Sequence, residues 1–140
     1  MPTRLGAILI ATALVFALAA LPAAADTLQF HGQLGPDPSA PPPPSKGSGN
    51  ASLSLDTTSK TVTWTIEYSG LSGPPVEIGC GVLEAAGPAI LVQNNLASPV
   101  KGSKALTPAD IASLQAGKWI CLIGTQKDDS EIGGMQQPAR

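Results

Sequence analysis

The stretch Leu106–Gly134, LTPADIASLQAGKWICLIGTQKDDSEIGG, predicts a short capped helix, a buried strand, a turn and a closing strand. Thr107 is a favourable N-cap residue, and Asp110 stands at the spacing that completes a capping box. Gly117 falls where a left-handed residue ends many helices. The helix is therefore expected over about residues 107–116.

The strand after this helix is apolar on both faces. Trp119, Cys121 and Ile123 alternate with Ile120, Leu122 and Gly124. A strand that is apolar on both sides is typical of the middle of a buried sheet. This strand is expected to be central.

Most of the remaining chain alternates apolar and polar residues with a period of two, which is typical of half-buried strands. The predicted strands cover Thr27–Leu34, Ala51–Leu55, Val62–Tyr68, Val76–Leu83, Pro88–Val92 and Ser130–Gln136. Residues 93–103 are interpreted as a polar connection, and Val76, Ile78, Cys80 and Val82 are expected to face inward together. The predicted fold is all-β: an antiparallel, Greek-key-like β-sandwich or partly closed barrel with one short helix.

The first 25 residues have the pattern of a secretory signal peptide, with Arg4 before an apolar run and small residues before Asp26. Cleavage is expected after Ala25, and the alternative is an uncleaved membrane anchor. The mature chain, residues 26–140, is expected to be a single β domain with a Pro-rich loop at residues 35–48. It should be secreted or periplasmic, and not attached to a membrane after cleavage.

The charge pattern argues against a nucleic-acid partner. The formal net charge of the chain is −2, and its lysines are scattered along the sequence without a basic block. Proteins that track phosphates concentrate Lys and Arg on one surface. The sequence leaves the oligomeric state open.

Two cysteines, Cys80 and Cys121, lie in the mature part of the chain. An even count in an oxidising compartment favours a disulfide between them, and the alternative is two separate buried thiols. The only histidine, His31, is expected on the wetter face of its strand, although a lone histidine can also act as a metal ligand. A metal-binding or redox site would have to use His31 and the reduced cysteines.

Other candidate sites are weaker. Asp128, Asp129 and Glu131 cluster in the last turn and could hold a hard cation such as calcium, but a solvated turn is favoured because the spacing of a known calcium loop is missing. The sequence contains no G-x-S-x-G, P-loop or H-E-x-x-H motif, so neither a catalytic residue nor a cofactor is predicted.

Several segments, taken in order, resemble the CHRD domain family, which is named after chordin. The likeness covers about Thr27–Gln136. It is carried by F-x-G-x-L at Phe30–Leu34, T-V-T-W-T-I at 61–66, S-G-L-S-G-P at 69–74, L-T-x-A-D-I-A-S-L-Q-A-G at 106–117 and S-E-I-G-G at 130–134. The resemblance implies an exported binding or structural module before it implies an enzyme.

The chain departs from the family where the family is polar. The common A-H-I-H-G strand is replaced by Glu77–Gly81, so both histidines are lost and Cys80 stands in place of one. A common Y-V-N-V-H-T strand becomes Trp119–Gly124, with Cys121 in place of the asparagine. If the family positions meet on neighbouring strands, the resemblance implies that the two cysteines lie across from each other. The closing G-E-I-R-G motif keeps its glutamate as Glu131 but loses its arginine.

These observations lead to the expectation of a non-catalytic, exported CHRD-like domain that serves as an interaction or structural module at the cell envelope. Its partner would be another extracellular or periplasmic protein. The alternatives are a metal-binding or redox periplasmic protein that uses His31 and the two cysteines, and a hydrolase whose site has no recognised motif.

Overall fold

The computed structural model describes residues 26–39, 44–83, 89–92 and 95–139. The predicted signal peptide and four residues of the Pro-rich loop lie outside these ranges. The described residues form nine strands and one helix: β1 Thr27–Leu34, β2 Ser48–Asp56, β3 Thr61–Ser69, β4 Pro75–Val82, β5 Leu91–Val92, β6 Val100–Ala105, α1 Pro108–Gln115, β7 Trp119–Thr125, β8 Ile132–Met135 and β9 Gln137–Pro138.

The strands form two sheets in which every pairing is antiparallel. The five-stranded sheet has the order β6-β3-β2-β1-β9, and the four-stranded sheet has the order β5-β4-β7-β8. An isolated bridge between Gly35 and Gly133 joins the two sheets along one side. The predicted antiparallel β-sandwich with one short helix is therefore confirmed, and over the described residues the sheets do not close into a barrel.

The core lies between the sheets and follows the predicted alternation. On β1, Phe30 and Leu34 are buried, and His31 between them is exposed. On the β2–β3 hairpin, Leu53 faces the core directly beside Trp64. Burial of these large apolar side chains is the main favourable contribution to folding.

The helix begins and ends where the sequence predicts. The Thr107 hydroxyl accepts a hydrogen bond from the Asp110 N–H, and the Asp110 carboxylate accepts one from the Thr107 N–H. Gly117 has a φ of 73°, the left-handed conformation expected after a helix. Leu114 is fully buried and anchors the helix to the core. Among the described residues, no helix is long and apolar enough to cross a bilayer.

Strand β7 is central in its sheet, as predicted, since it lies between β4 and β8. Trp119, Cys121 and Ile123 are buried in the core. Ile120 and Leu122, on the other face, are only partly buried. The apolar character of the second face is thus not explained by the core between the two sheets.

The interpretation of residues 93–103 as a polar connection is wrong in its second half. Val100–Ala105 is an edge strand that pairs with β3. Val100 is buried, and a Cβ added at Gly102 would overlap the Trp64 indole ring. The residues of this strand that pair with buried residues of β3 are Val100, Gly102 and Lys104, too weak an apolar pattern for a period of two to be recognised.

The predicted phase of β4 is wrong at its start. The pairing with β7 shifts register between Pro75 and Glu77, which is typical of a β-bulge. Val76 is 51% exposed as a result, whereas Ile78 and Cys80 face inward as predicted. A bulge changes the face to which the preceding residue points, and alternation along one strand does not reveal it.

Candidate functional site

Cys80 and Cys121 are directly opposite each other on β4 and β7 and form a disulfide. Their Cα atoms are 4.0 Å apart, and both side chains are buried. The predicted disulfide is present, and the alternative of two separate thiols does not hold. The family resemblance implied that the two cysteines lie across from each other if their positions meet on neighbouring strands, and Cys80 and Cys121 do so on β4 and β7.

A second inward pair lies next along the same two strands. Ile78 is the register partner of Ile123, and both side chains are fully buried. These two isoleucines occupy positions at which the family resemblance implies histidines. The inward side of β4 and β7 thus carries an apolar pair and a disulfide, neither of which supplies an imidazole or a free thiolate as a metal ligand.

His31 is remote from the inward side of β4 and β7. It lies on β1 in the other sheet, is exposed on the outer surface, and its Nδ1 is 3.3 Å from the Ser52 hydroxyl oxygen. The cysteines lie between the sheets, on the opposite side of β1 from the His31 ring. The structure therefore does not bring together the three residues of the predicted metal-binding or redox alternative.

The most polar interior site is built around Glu131, just before β8. Only 4% of this residue is exposed. Its Oε2 accepts hydrogen bonds from the Ser45 hydroxyl and the Ser72 N–H, each with a donor–acceptor distance of 2.9 Å. Its Oε1 accepts a hydrogen bond of 2.9 Å from the Thr125 hydroxyl and another from the Ser72 hydroxyl. Each carboxylate oxygen thus has two donors.

These donors set the charge state of the glutamate. Burial raises the pKa of Glu131, but the hydrogen bonds from Ser72, Ser45 and Thr125 favour the ionised form and together hold the pKa below its usual value. All four hydrogen bonds are donated to the Glu131 carboxylate, which has acceptors but no donor when it is ionised. A carboxylate held in this way is suited to joining loops rather than to accepting a proton from a substrate.

The sequence interpretation of the last turn is therefore wrong for Glu131. Asp128 and Asp129 are exposed, as a solvated turn requires, but Glu131 is buried against residues from distant parts of the chain. Two features of the sequence pointed to it: the neighbouring Ile132, which is apolar, and the retention of the glutamate in the S-E-I-G-G segment. Within the described ranges, no group of three or more His, Cys, Asp or Glu residues could hold a metal ion.

A known protein family matches the chain. A sequence profile of the CHRD domain matches residues 30–134, which is most of the chain. No curated protein and no solved structure matches the chain. CHRD domains are in general non-enzymatic. With the matched range extending from β1 to β8, the chain belongs to the CHRD domain family.

Proposed function

We propose that this chain is an exported CHRD domain that acts as a non-catalytic interaction or structural module at the cell envelope. The observation that carries the proposal is the disulfide between Cys80 and Cys121. Structural disulfides form and persist in the periplasm and outside the cell, and they are rare in reducing compartments. Here the disulfide lies in the core, where it stabilises the sheet that contains β4 and β7.

The polar interior supports a structural role as well. Glu131 has hydrogen-bond donors at both oxygens, so it has no free acceptor position for a substrate proton. General acid–base catalysis needs a titratable group within reach of the reacting atom. Because Glu131 and the disulfide are buried, recognition of a partner would rely on the outer surfaces of the two sheets.

The rival metal-binding or redox function predicts a different arrangement. It needs several ligands on one side of the fold, and His31 and the cysteines are on different sides of β1. Metal analysis of protein purified from the periplasm tests this rival directly. Stoichiometric copper or zinc that is lost in His31→Ala would support the rival and contradict the proposal.

Export and the disulfide are tested together by the intact mass of the protein recovered from the periplasm or the medium. We expect the mass of residues 26–140 reduced by two hydrogens, and no alkylation before reduction. A full-length mass in the cytoplasmic fraction, or two thiols that alkylate without reductant, would contradict the proposal.

The interaction itself is tested by photo-crosslinking in the producing cell. A photoreactive amino acid is placed at Leu83, directly after β4 of the four-stranded sheet, or at Thr63 on the five-stranded sheet; both residues are exposed. A discrete adduct with one envelope or extracellular protein at either position is expected. Protein that remains uncrosslinked at both positions would contradict an interaction role.

A further inference from the structure

A groove follows the outer surface of the four-stranded sheet. One wall is the segment Ala89–Ile90, and the other is formed by Ile120 and Leu122 of β7. The groove has a volume of about 360 Å³, which is within the range of about 300–1,000 Å³ that is common for ligand sites.

The floor of the groove includes two glycines of β4, Gly79 and Gly81. A Cβ added at Gly79 would lie 3.0 Å from the Ala89 Cβ, and one added at Gly81 would lie 3.2 Å from the Ile90 backbone nitrogen. The segment Ala89–Ile90 therefore lies directly over these two positions, and the absence of side chains there lets it pack close to β4.

The apolar lining distinguishes this surface from the outer surface of the other sheet. Ile120 and Leu122 point outward and are only partly buried, and Leu83 is 54% exposed at one end of the groove. On the five-stranded sheet, the corresponding outward row is His31, Ser52, Thr65 and Lys101. The solvated face of an antiparallel sheet is normally polar, so this partly apolar outer face is the candidate surface for a partner.

One end of the groove is acidic. Glu77 is the register partner of Gly124, and the Asp129 backbone oxygen lies against Gly124, so both acidic residues are at the end opposite Leu83. No lysine, arginine or histidine is among the described residues that line the groove, although the Lys104 ammonium group donates a hydrogen bond of 2.8 Å to the Ile90 carbonyl oxygen in the first wall. This acidic end would attract a cationic group.

We propose that this groove binds an extended peptide segment of a partner protein, with small apolar side chains followed by lysine or arginine. The inference rests on the proposed function as an interaction module and names the surface and the chemistry of its partner. The apolar side chains lie against Ile120 and Leu122, and the basic side chain lies between Glu77 and Asp129. From Glu77 to Leu83 the groove spans about 20 Å, which matches about six residues of extended chain.

The test measures fluorescence anisotropy with two labelled peptides, Val-Ala-Val-Ala-Lys-Lys and Val-Ala-Val-Ala-Glu-Glu, and the oxidised chain of residues 26–140. We expect the lysine peptide to bind at least tenfold more tightly than the glutamate peptide at low ionic strength. The double variant Glu77→Lys, Asp129→Lys should reverse this preference. Glu67→Lys, an exposed charge reversal on the other sheet, is the matched control and should leave the preference unchanged.

Several outcomes would overturn the inference. One is that neither peptide binds at millimolar concentration, and another is that Glu77→Lys and Glu67→Lys have equal effects. A dimer in sedimentation equilibrium that dissociates in Leu122→Ser would assign the groove to a second copy of the chain. Peptide binding that occurs only after residues 84–88 are replaced by Gly and Ser would assign it to that segment.

The photo-crosslinking experiment keeps this inference separate from the proposed function. An adduct at Thr63 without one at Leu83 would leave the interaction role intact and exclude the groove. An adduct at Leu83 that is lost in the double variant Glu77→Lys, Asp129→Lys would support both.

Discussion

Ser72 donates two hydrogen bonds to Glu131, one from its backbone N–H to Oε2 and one from its hydroxyl to Oε1. These residues are 59 positions apart in sequence, and Ser45, which also binds Oε2, is 86 positions from Glu131. A single carboxylate therefore ties the end of the Pro-rich loop and the turn after β3 to the segment before β8. Its loss should affect the whole end of the sandwich.

Glu131→Gln should lower the free energy of unfolding by about 2 kcal/mol. The change keeps the shape but replaces one acceptor oxygen with an NH₂ group that faces hydrogen-bond donors, and buried donors without partners cost about 1–3 kcal/mol each. Urea unfolding at pH 7 measures the difference.

Asp129→Asn, in the same turn, is the matched control because Asp129 is exposed. It should change the free energy of unfolding by less than about 0.5 kcal/mol, as is usual for surface substitutions. Equal effects of the two substitutions would contradict the role assigned to Glu131.

The stability of the protein should depend on pH through Glu131. Burial raises its pKa, but the hydrogen-bond donors outweigh burial and keep the pKa in the folded protein below the usual 4.5. The carboxylate therefore stabilises the fold fully above pH 4.5, and this contribution is lost as the pH falls through the lowered pKa. The urea midpoint should fall on acidification from pH 5 to pH 3.

Glu131→Gln should reduce the size of that fall, since the variant has no proton to gain at this position. The pKa of Asp37 is also lowered, by hydrogen bonds from the Ser39 side chain and backbone, so Asp37→Asn is the control. The Asp37 carboxylate is exposed, and its variant should keep nearly the full acid dependence. An acid dependence that is unchanged in Glu131→Gln would contradict the assignment.

Removal of the disulfide in the double variant Cys80→Ala, Cys121→Ala should destabilise the protein strongly. The cysteines are 41 residues apart, and closing a loop of that length stabilises by about 4 kcal/mol in the chain-entropy treatment. Thermal or urea unfolding of the variant and of the oxidised protein measures the difference.

The reduced wild-type protein provides the comparison that leaves the core volume unchanged. It should lose most of the stability that the alanine variant loses, because both lack the covalent link. A reduced protein as stable as the oxidised one would show that the disulfide does not stabilise the fold.

Gly102→Ala should destabilise the fold by about 1–3 kcal/mol, the usual cost of an additional methyl group in a packed core. The added Cβ would overlap the Trp64 indole, which is fixed between the sheets. Urea unfolding followed by tryptophan fluorescence measures both the stability and the environment of the ring.

Gly73→Ala is the matched substitution, because no atom lies within 4 Å of a Cβ added there. It should have little effect on unfolding or on fluorescence. A neutral Gly102→Ala would indicate that the edge strand β6 moves away easily and that Trp64 is not held by it.

The sequence by itself determined the local features of this protein. The helix follows from Thr107, Asp110 and Gly117, whose effects act within a few residues of chain. The period-two segments predicted most strands and the inward direction of Cys80, because alternation is a property of one strand. The order of several weak motifs was sufficient to indicate the family before any strand was paired.

Only the tertiary structure decided the features that depend on distant residues. The bulge that exposes Val76 depends on the pairing of β4 with β7. The edge strand β6 depends on its pairing with β3, which places Gly102 against Trp64. In the sequence Glu131 is part of an acidic turn, and only the fold brings Ser45 and Ser72 within hydrogen-bonding distance of it. The physical reason is common to these cases: hydrogen bonds and packing act over a few ångströms in space, and the fold alone brings residues from distant parts of the sequence within that range.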